Sequence, residues 1–161
     1  MQTAIGVKMV KFKAMTRQEY CDYRGWKLPP DENGADAGML VEYVNSPTRN
    51  HPDHEGYVSW SPAKEFNDAY FPLAQDNKIS PADVATFTGE MAATQVDAKT
   101  TLVKTTSPTG FVLYETSSCV DPENFDMTIG TNIGVSRCQD KIWFALGFVL
   151  QWALNGLKKG E

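Results

Sequence analysis

Hydrophobic and polar positions alternate over residues 4–14 (AIGVKMVKFKA), which predicts a half-exposed strand. Thr16 and Glu19 then stand three apart as a capping box, opening a short helix that Gly25 ends. Residues 28–38 (LPPDENGADAG) are turn formers throughout. Met39 to Val44 reads as a strand and Gly56 to Trp60 as its partner, so the pentapeptide HPDHE at 51–55 falls in the loop between them. Ser61 followed by Pro62 predicts a helix start, with Phe66, Ala69 and Tyr70 as the apolar face.

A linker-like stretch from Pro72 to Lys78 precedes a second cap and proline, Ser80 and Pro81, and a helix expected to carry Val84, Phe87 and Met91. Thr100 to Thr106 and Phe111 to Thr116 are β-branched and aromatic runs joined by the turn residues 107–110, which predicts an antiparallel hairpin. After residues 117–124 the chain reads as one long helix, or two, ending at Asn155 and Gly156. Val135, Cys138, Ile142, Ala145 and Val149 recur at helical spacing and are expected to face a core. Gly130 and Gly134 suit close helix packing better than a phosphate cradle. Two units follow from this reading, residues 1–72 and residues 79–158.

Composition narrows the class. The chain has 161 residues, 42% of them hydrophobic and 22% charged, enough to bury a core without disulfides. No apolar run approaches the roughly 18 residues of a membrane span, and the lysine-bearing start is unlike a signal peptide, so a cytoplasmic protein without membrane contact is expected. Cys21, Cys119 and Cys138 are odd in number and widely spaced, which argues for reduced, packed thiols. Residues 1–78 hold nine Lys/Arg against eleven Asp/Glu and residues 79–161 six against nine, so neither half is the polycation that binding to a nucleic-acid backbone requires.

The candidate chemistry is sparse. Both histidines lie in HPDHE, three apart with a proline between, whereas a zincin helix spaces them four apart. His51 and Asp53 match a local H-x-D, but no distant histidine exists to complete a facial triad, so a solvated loop is the expectation. Cys119 or Ser118 as nucleophile would need a histidine from the other unit. Arg137 and Lys141 stand one helical turn apart, in line with Ile133 and close to Phe144. An Arg137 to Asp140 ion pair or snorkelling stems explain them as well as a phosphate-reading pair does, and composition leaves both open. For the second reading, Phe111, Tyr114, Phe125 and Asn124 are available to stack on and hydrogen-bond a base.

Residues 109–112 (TGFV), 117–126 (SSCVDPENFD), Ile129 with Gly130, and Lys141-Ile142-Trp143 followed by Leu146-Gly147-Phe148 and Leu150 resemble the small phage protein family typified by early proteins of phages N4 and Sf6. The resemblance spans about residues 79–155. That family in turn resembles the first type of Thoeris anti-defence protein, a phage sponge that binds cyclic ADP-ribose isomers, and in some members cyclic oligonucleotides, without cleaving them. Residues 38–43 and 56–64 resemble an uncharacterised module at the start of many phage proteins.

The resemblance implies an α+β fold, an antiparallel sheet with C-terminal helices preceded by a small α+β module, and a homo-oligomer with pockets between protomers. It implies no enzyme, cofactor or metal, a cyclic nucleotide signal as ligand, and Lys99, Phe111, Tyr114, Ser117, Ser118, Asn124, Phe125, Arg137 and Lys141 as its binding residues. Two other readings remain: a non-catalytic interaction module presenting Tyr57 and Trp60, and a metal-dependent hydrolase using His51, Asp53 and His54.

Overall fold

A computed structural model describes residues 1–158, and its chain forms two compact units. The first comprises Met1–Pro72 with the described residues from Ala153 onward, and the second Leu73–Trp152. Both are built on three-stranded antiparallel sheets, so the α+β class holds.

In unit 1 the sheet order is β1 (Lys11–Ala14), β2 (Gly38–Tyr43), β3 (Tyr57–Pro62). The alternation that predicted a strand over 4–14 yields pairing only over Lys11–Ala14, with Lys11 facing Glu42 one residue before the end of β2. Helix α1 (Arg17–Arg24) has its capping box at Thr16 and Glu19 and ends on Gly25, in the left-handed region at φ 66. Tyr20 from α1 packs with Leu40 and Val58 in one core cluster, flanked by Met15, Tyr23 and Trp60. The opposite face of the sheet takes α2 (Ala63–Ala69), where the buried Phe66 ring lies 4.7 Å from Phe12 and 4.9 Å from Tyr70.

One expectation changes here. Ser61 does not cap α2; it stays in β3 opposite Met39, and Pro62 occupies the cap without a side-chain bond. Trp60 is half-buried against the cluster, and its indole N–H donates to the Met15 carbonyl at 2.8 Å.

Unit 2 opens with α3 (Pro81–Thr88), whose capping box joins Ser80 and Asp83. Asp83 is buried and accepts from the Ser80 amide at 2.7 Å, the Ser80 hydroxyl at 2.7 Å and the Ala74 amide at 3.0 Å. The helix stops at Gly89, whose φ of 66 suits glycine, and an added Cβ there would meet the Thr106 carbonyl oxygen at 2.1 Å. Met91 therefore lies not on α3 but in β4 (Glu90–Asp97), a strand the sequence reading missed. Its residues are exposed on both faces except half-buried Ala93, so no alternation marks it.

Strand β4 pairs with β5 (Thr100–Thr106), and β5 with β6 (Val112–Ser118), the predicted hairpin. One helix, α4 (Met127–Asn155), crosses one face of this sheet. Its buried stripe is Gly130, Gly134, Cys138, Ile142 and Leu146, not the set centred on Val135, Ala145 and Val149. Ala145 and Val149 are exposed.

The strand beneath explains the change. Thr101, Val103 and Thr105 repeat about every 6.6 Å along β5 and helix residues four apart repeat about every 6.0 Å, so Gly130 meets Thr101, Gly134 meets Val103 and Cys138 meets Thr105. An added Cβ would lie 2.3 Å from Thr101 Oγ1 at Gly130 and 2.4 Å from Val103 Cγ2 at Gly134. These glycines are contact points between helix and sheet. Burial also pushes the Cys138 thiol up, in keeping with a packed, reduced cysteine. Beyond the glycines, Ile142 and Leu146 close a second core with Val84, Ile79, Phe87 and Leu113.

Candidate functional site

The β5–β6 register sorts the candidate residues by face. Ser117, Glu115 and Leu113 pair with Thr101, Val103 and Thr105 and so share the α4 side of the sheet. Tyr114 and Ser118 pair with Lys104 and Thr100 and face the other way. Tyr114 is exposed there, and the Ser118 hydroxyl bonds Thr100 Oγ1 at 2.8 Å.

On the α4 side, Arg137 donates through one guanidinium nitrogen to the Thr116 carbonyl, and Lys141 pairs with Glu115. Neither engages Asp140 as an ion-pair reading would have it. Both cations are thus steadied against β6, one turn apart, and among the described residues Arg137 makes no further side-chain hydrogen bond.

At one end of the sheet the Lys99 carbonyl accepts the Cys119 amide at 3.0 Å, and the chain continues from there into the short 3₁₀ turn Pro122–Asn124 and half-buried Phe125. Asp121 caps that turn by accepting the Glu123 amide at 3.0 Å. Phe111 lies at the opposite end, in the turn closed by Ser107, about 23 Å along β6 from Ser118. A single protomer therefore sets Arg137 and Lys141 against β6 on the face that Ser117 shares, and Lys99 and Ser118 at one end of the sheet. It leaves Tyr114 on the far face and Phe111 at the far end.

The outer side of α4 is the other feature of unit 2. From Ile142 to Leu154 the only polar side chain is Gln151, and Phe144 and Phe148 remain 79% and 62% exposed opposite the buried stripe. A helix apolar on every side is one that expects cover on every side. No helix among the described residues is long and apolar enough to cross a membrane.

HPDHE is a loop, as expected, but not simply a solvated one. His54 Nδ1 lies 2.9 Å from Glu42 Oε2, and His54 Nε2 lies 2.9 Å from the Tyr23 hydroxyl. The same hydroxyl lies 3.2 Å from His51 Nδ1, and the Tyr23 ring stacks on His51 at 4.4 Å. Glu42 Oε1 accepts the Glu55 and Gly56 amides at 2.8 and 3.1 Å. Burial alone would push the Glu42 carboxyl up, but the bonds from His54, Gly56 and Glu55 outweigh it and hold it below the usual range. Burial, with Asp53 nearby, pushes the Tyr23 phenol up, so it stays protonated and able to donate.

Four residues from α1, β2 and the loop thus form one hydrogen-bonded chain. Two of them, Glu42 and Tyr23, were passed over in the sequence. The available signal was an acid inside the apolar run MLVEYV, at a position whose alternation with Leu40 points it into the core. The arrangement does not favour a metal centre. Among the described residues no three His, Cys, Asp or Glu side chains are placed to hold an ion, and three imidazole nitrogens of the loop are already engaged within the chain.

The chain belongs to the phage protein family described as N4 Gp49/phage Sf6 gene 66, whose model matches residues 67–154, more than half of its length. No curated protein and no solved structure matches it. The matched stretch contains every candidate ligand-binding residue and lies wholly outside the Tyr23, Glu42, His51 and His54 chain.

Proposed function

We propose that this phage protein binds a cyclic nucleotide signal of bacterial immunity in the infected host cell and sequesters it without cleavage, in pockets completed between copies of unit 2. The observation that carries the reading is the steadied pair Arg137 and Lys141 on α4 beside β6. A guanidinium with unspent donors forks onto a phosphate, and a neighbouring ammonium adds a point charge once the anion displaces Glu115 as its partner.

Base and ribose contacts then come from Tyr114, Phe111, Asn124 and Phe125, with Lys99, Ser117 and Ser118 as further polar contacts. One protomer separates these groups, so the reading requires a second copy. The uncovered aromatic side of α4, carrying Phe144 and Phe148, offers the surface for that assembly. Sequestration in place of turnover is supported by the residue set: unit 2 has no histidine to act as a general base.

The test is recovery. The protein is incubated with cyclic ADP-ribose isomers and cyclic di- and trinucleotides, separated from free ligand, denatured, and the released compound weighed by mass spectrometry. Intact ligand is expected. Cleaved product, or no retention of any compound in the panel at micromolar protein, would overturn the reading.

A further inference from the structure

The two outer edges of the unit 2 sheet differ in what stands over them. Antiparallel strands exchange hydrogen bonds at every second residue pair. The Ser107 amide donates to the Phe111 carbonyl at 2.9 Å and the Cys119 amide to the Lys99 carbonyl at 3.0 Å, which fixes the phase of the β5–β6 ladder from both ends. Its bonded pairs are Thr101 with Ser117, Val103 with Glu115 and Thr105 with Leu113. Thr116 falls between them and turns its carbonyl outward, where Arg137 of α4 donates to it. A charged side chain on an edge is a guard against strand addition.

The alternate residues of β5 bond the other way. Leu102, Lys104 and Thr106 reach Thr94, Ala92 and Glu90 of β4. Met91, Ala93 and Gln95 therefore turn their N–H and C=O groups to the free edge. No lysine, arginine or proline stands on β4, and all its residues except half-buried Ala93 are exposed, so none of the described residues covers that edge. The exposed edge strand β1 of unit 1, by contrast, carries Lys11 and Lys13. The bulge between Gln95 and Asp97 lies past the three open residues.

We propose that β4 pairs with β4 of a second copy, antiparallel about a two-fold axis at Ala93, joining two three-stranded sheets into one of six. The strand sets its own register. Centred on Ala93, each Ala93 faces its counterpart, Met91 faces Gln95 and Gln95 faces Met91, giving three bonded pairs of two bonds each. Between them Ala92 faces Thr94, and Glu90 faces Val96. A register moved by one residue would oppose Glu90 to Asp97, but it sets Ala93 against Thr94, whose backbone groups are already spent on β5. A move of two residues keeps only two of the three pairs. The assembly also closes, because the outer edges of the joined sheet are then the two β6 strands that Arg137 guards.

Met91, Ala93 and Gln95 share the α4 face through their partners Thr105, Val103 and Thr101. Both α4 helices thus fall on one face of the joined sheet, with the two β5 strands beneath them three strand spacings, about 14 Å, apart. The aromatic side of α4 stays free, so this pairing is a separate surface and does not depend on ligand capture. Six backbone bonds are comparable to the freedom lost on association, so the pair exchanges readily in dilute solution.

The test traps the pair as disulfides in the full chain, without ligand, in a Cys119→Ser background because Cys21 and Cys138 are buried. Ala92 and Thr94 are exposed and face away from α4. In the proposed register they stand opposite each other with Cα atoms about 4.5 Å apart, while each lies about 7–8 Å from its own counterpart, beyond disulfide reach. Ala92→Cys chains are mixed with Thr94→Cys chains under mild oxidation, one of them tagged so that the mixed pair has its own mass. That pair is expected to form at least about tenfold faster than either same-variant pair. Ala93→Pro removes an outward N–H and takes no bond from β5, so adding it to both chains should slow trapping at least about tenfold with far-ultraviolet dichroism unchanged. Should Ala93→Pro fail to fold, Met91→Pro makes the same cut at the start of the strand. A mixed pair no faster than the same-variant pairs, no trapped pair at all, or trapping indifferent to the proline in a folded chain would overturn the pairing and leave the edge to a strand of another protein.

Discussion

Replacing Gly134 by alanine tests the closest approach in unit 2. The new Cβ would stand 2.4 Å from Val103 Cγ2 and 2.9 Å from Val103 Cβ, and Val103 is completely buried. A β-branched side chain in a packed strand has no spare rotamer to retreat into. The overpacking cost falls toward the upper end of the usual range, about 3 kcal/mol. Alanine returns about 1 kcal/mol of helix propensity, leaving a net loss of about 2 kcal/mol. For a unit of this size that lowers Tm by about 8–16 °C, measured by circular dichroism. Gly147 on the same helix has nothing within 4 Å of an added Cβ, so Gly147→Ala should instead gain up to about 1 kcal/mol. Val103→Ala alone should cost about 2–3 kcal/mol. Combined with Gly134→Ala it should cost less than the sum by about 1–2 kcal/mol, since the new methyl enters the space vacated. A Gly134→Ala protein as stable as the wild type, or a cycle with no coupling, would mean that α4 does not lie on β5 as described.

Three further outcomes follow from the same structure. Phe144→Glu with Phe148→Glu should convert an oligomer into a monomer in light scattering while leaving far-ultraviolet dichroism unchanged; a wild type already monomeric at high micromolar concentration would remove the assembly from the functional reading. Asp83→Ala leaves the Ser80 amide and hydroxyl and the Ala74 amide without their acceptor and should cost at least about 2 kcal/mol in urea unfolding. Burial would raise the Asp83 carboxyl, but those bonds outweigh it and hold it below its ordinary value, so its contribution is complete above about pH 4 and is lost as pH falls through the depressed folded value. Acid unfolding of Asp83→Asn should lack that component, and an unchanged acid limb would contradict the assignment. Finally, Arg137→Ala should abolish nucleotide retention without unfolding, whereas His51→Ala with His54→Ala should leave retention intact; the reverse pattern would put the site in unit 1.

The local signals were legible because they are short-range. Caps at Thr16 and Ser80, the turn between β5 and β6 and the long helical run of α4 each rest on a few consecutive residues whose backbone preferences act without tertiary help. Strand β4 was not legible, since Met91, Ala92, Ala93 and Gln95 favour helix and only pairing with β5 holds them extended. The buried stripe of α4 was misplaced for a related reason. A lone helix has no means of choosing among its apolar faces, and Ile142 through Leu154 are apolar on all of them.

What the sequence determined by itself was therefore the class of the local elements other than β4 and, through the motifs of residues 109–148, the phage family. Only the tertiary structure decided which face of α4 meets β5, because that choice depends on glycines at a four-residue spacing matching a strand's two-residue repeat. It alone joined Tyr23, Glu42, His51 and His54, because hydrogen bonds between residues up to 31 positions apart form only after α1 and β2 have packed. It also set the candidate ligand residues on two faces of one sheet, since alternation along β6 sends neighbours such as Tyr114 and Glu115 to opposite sides.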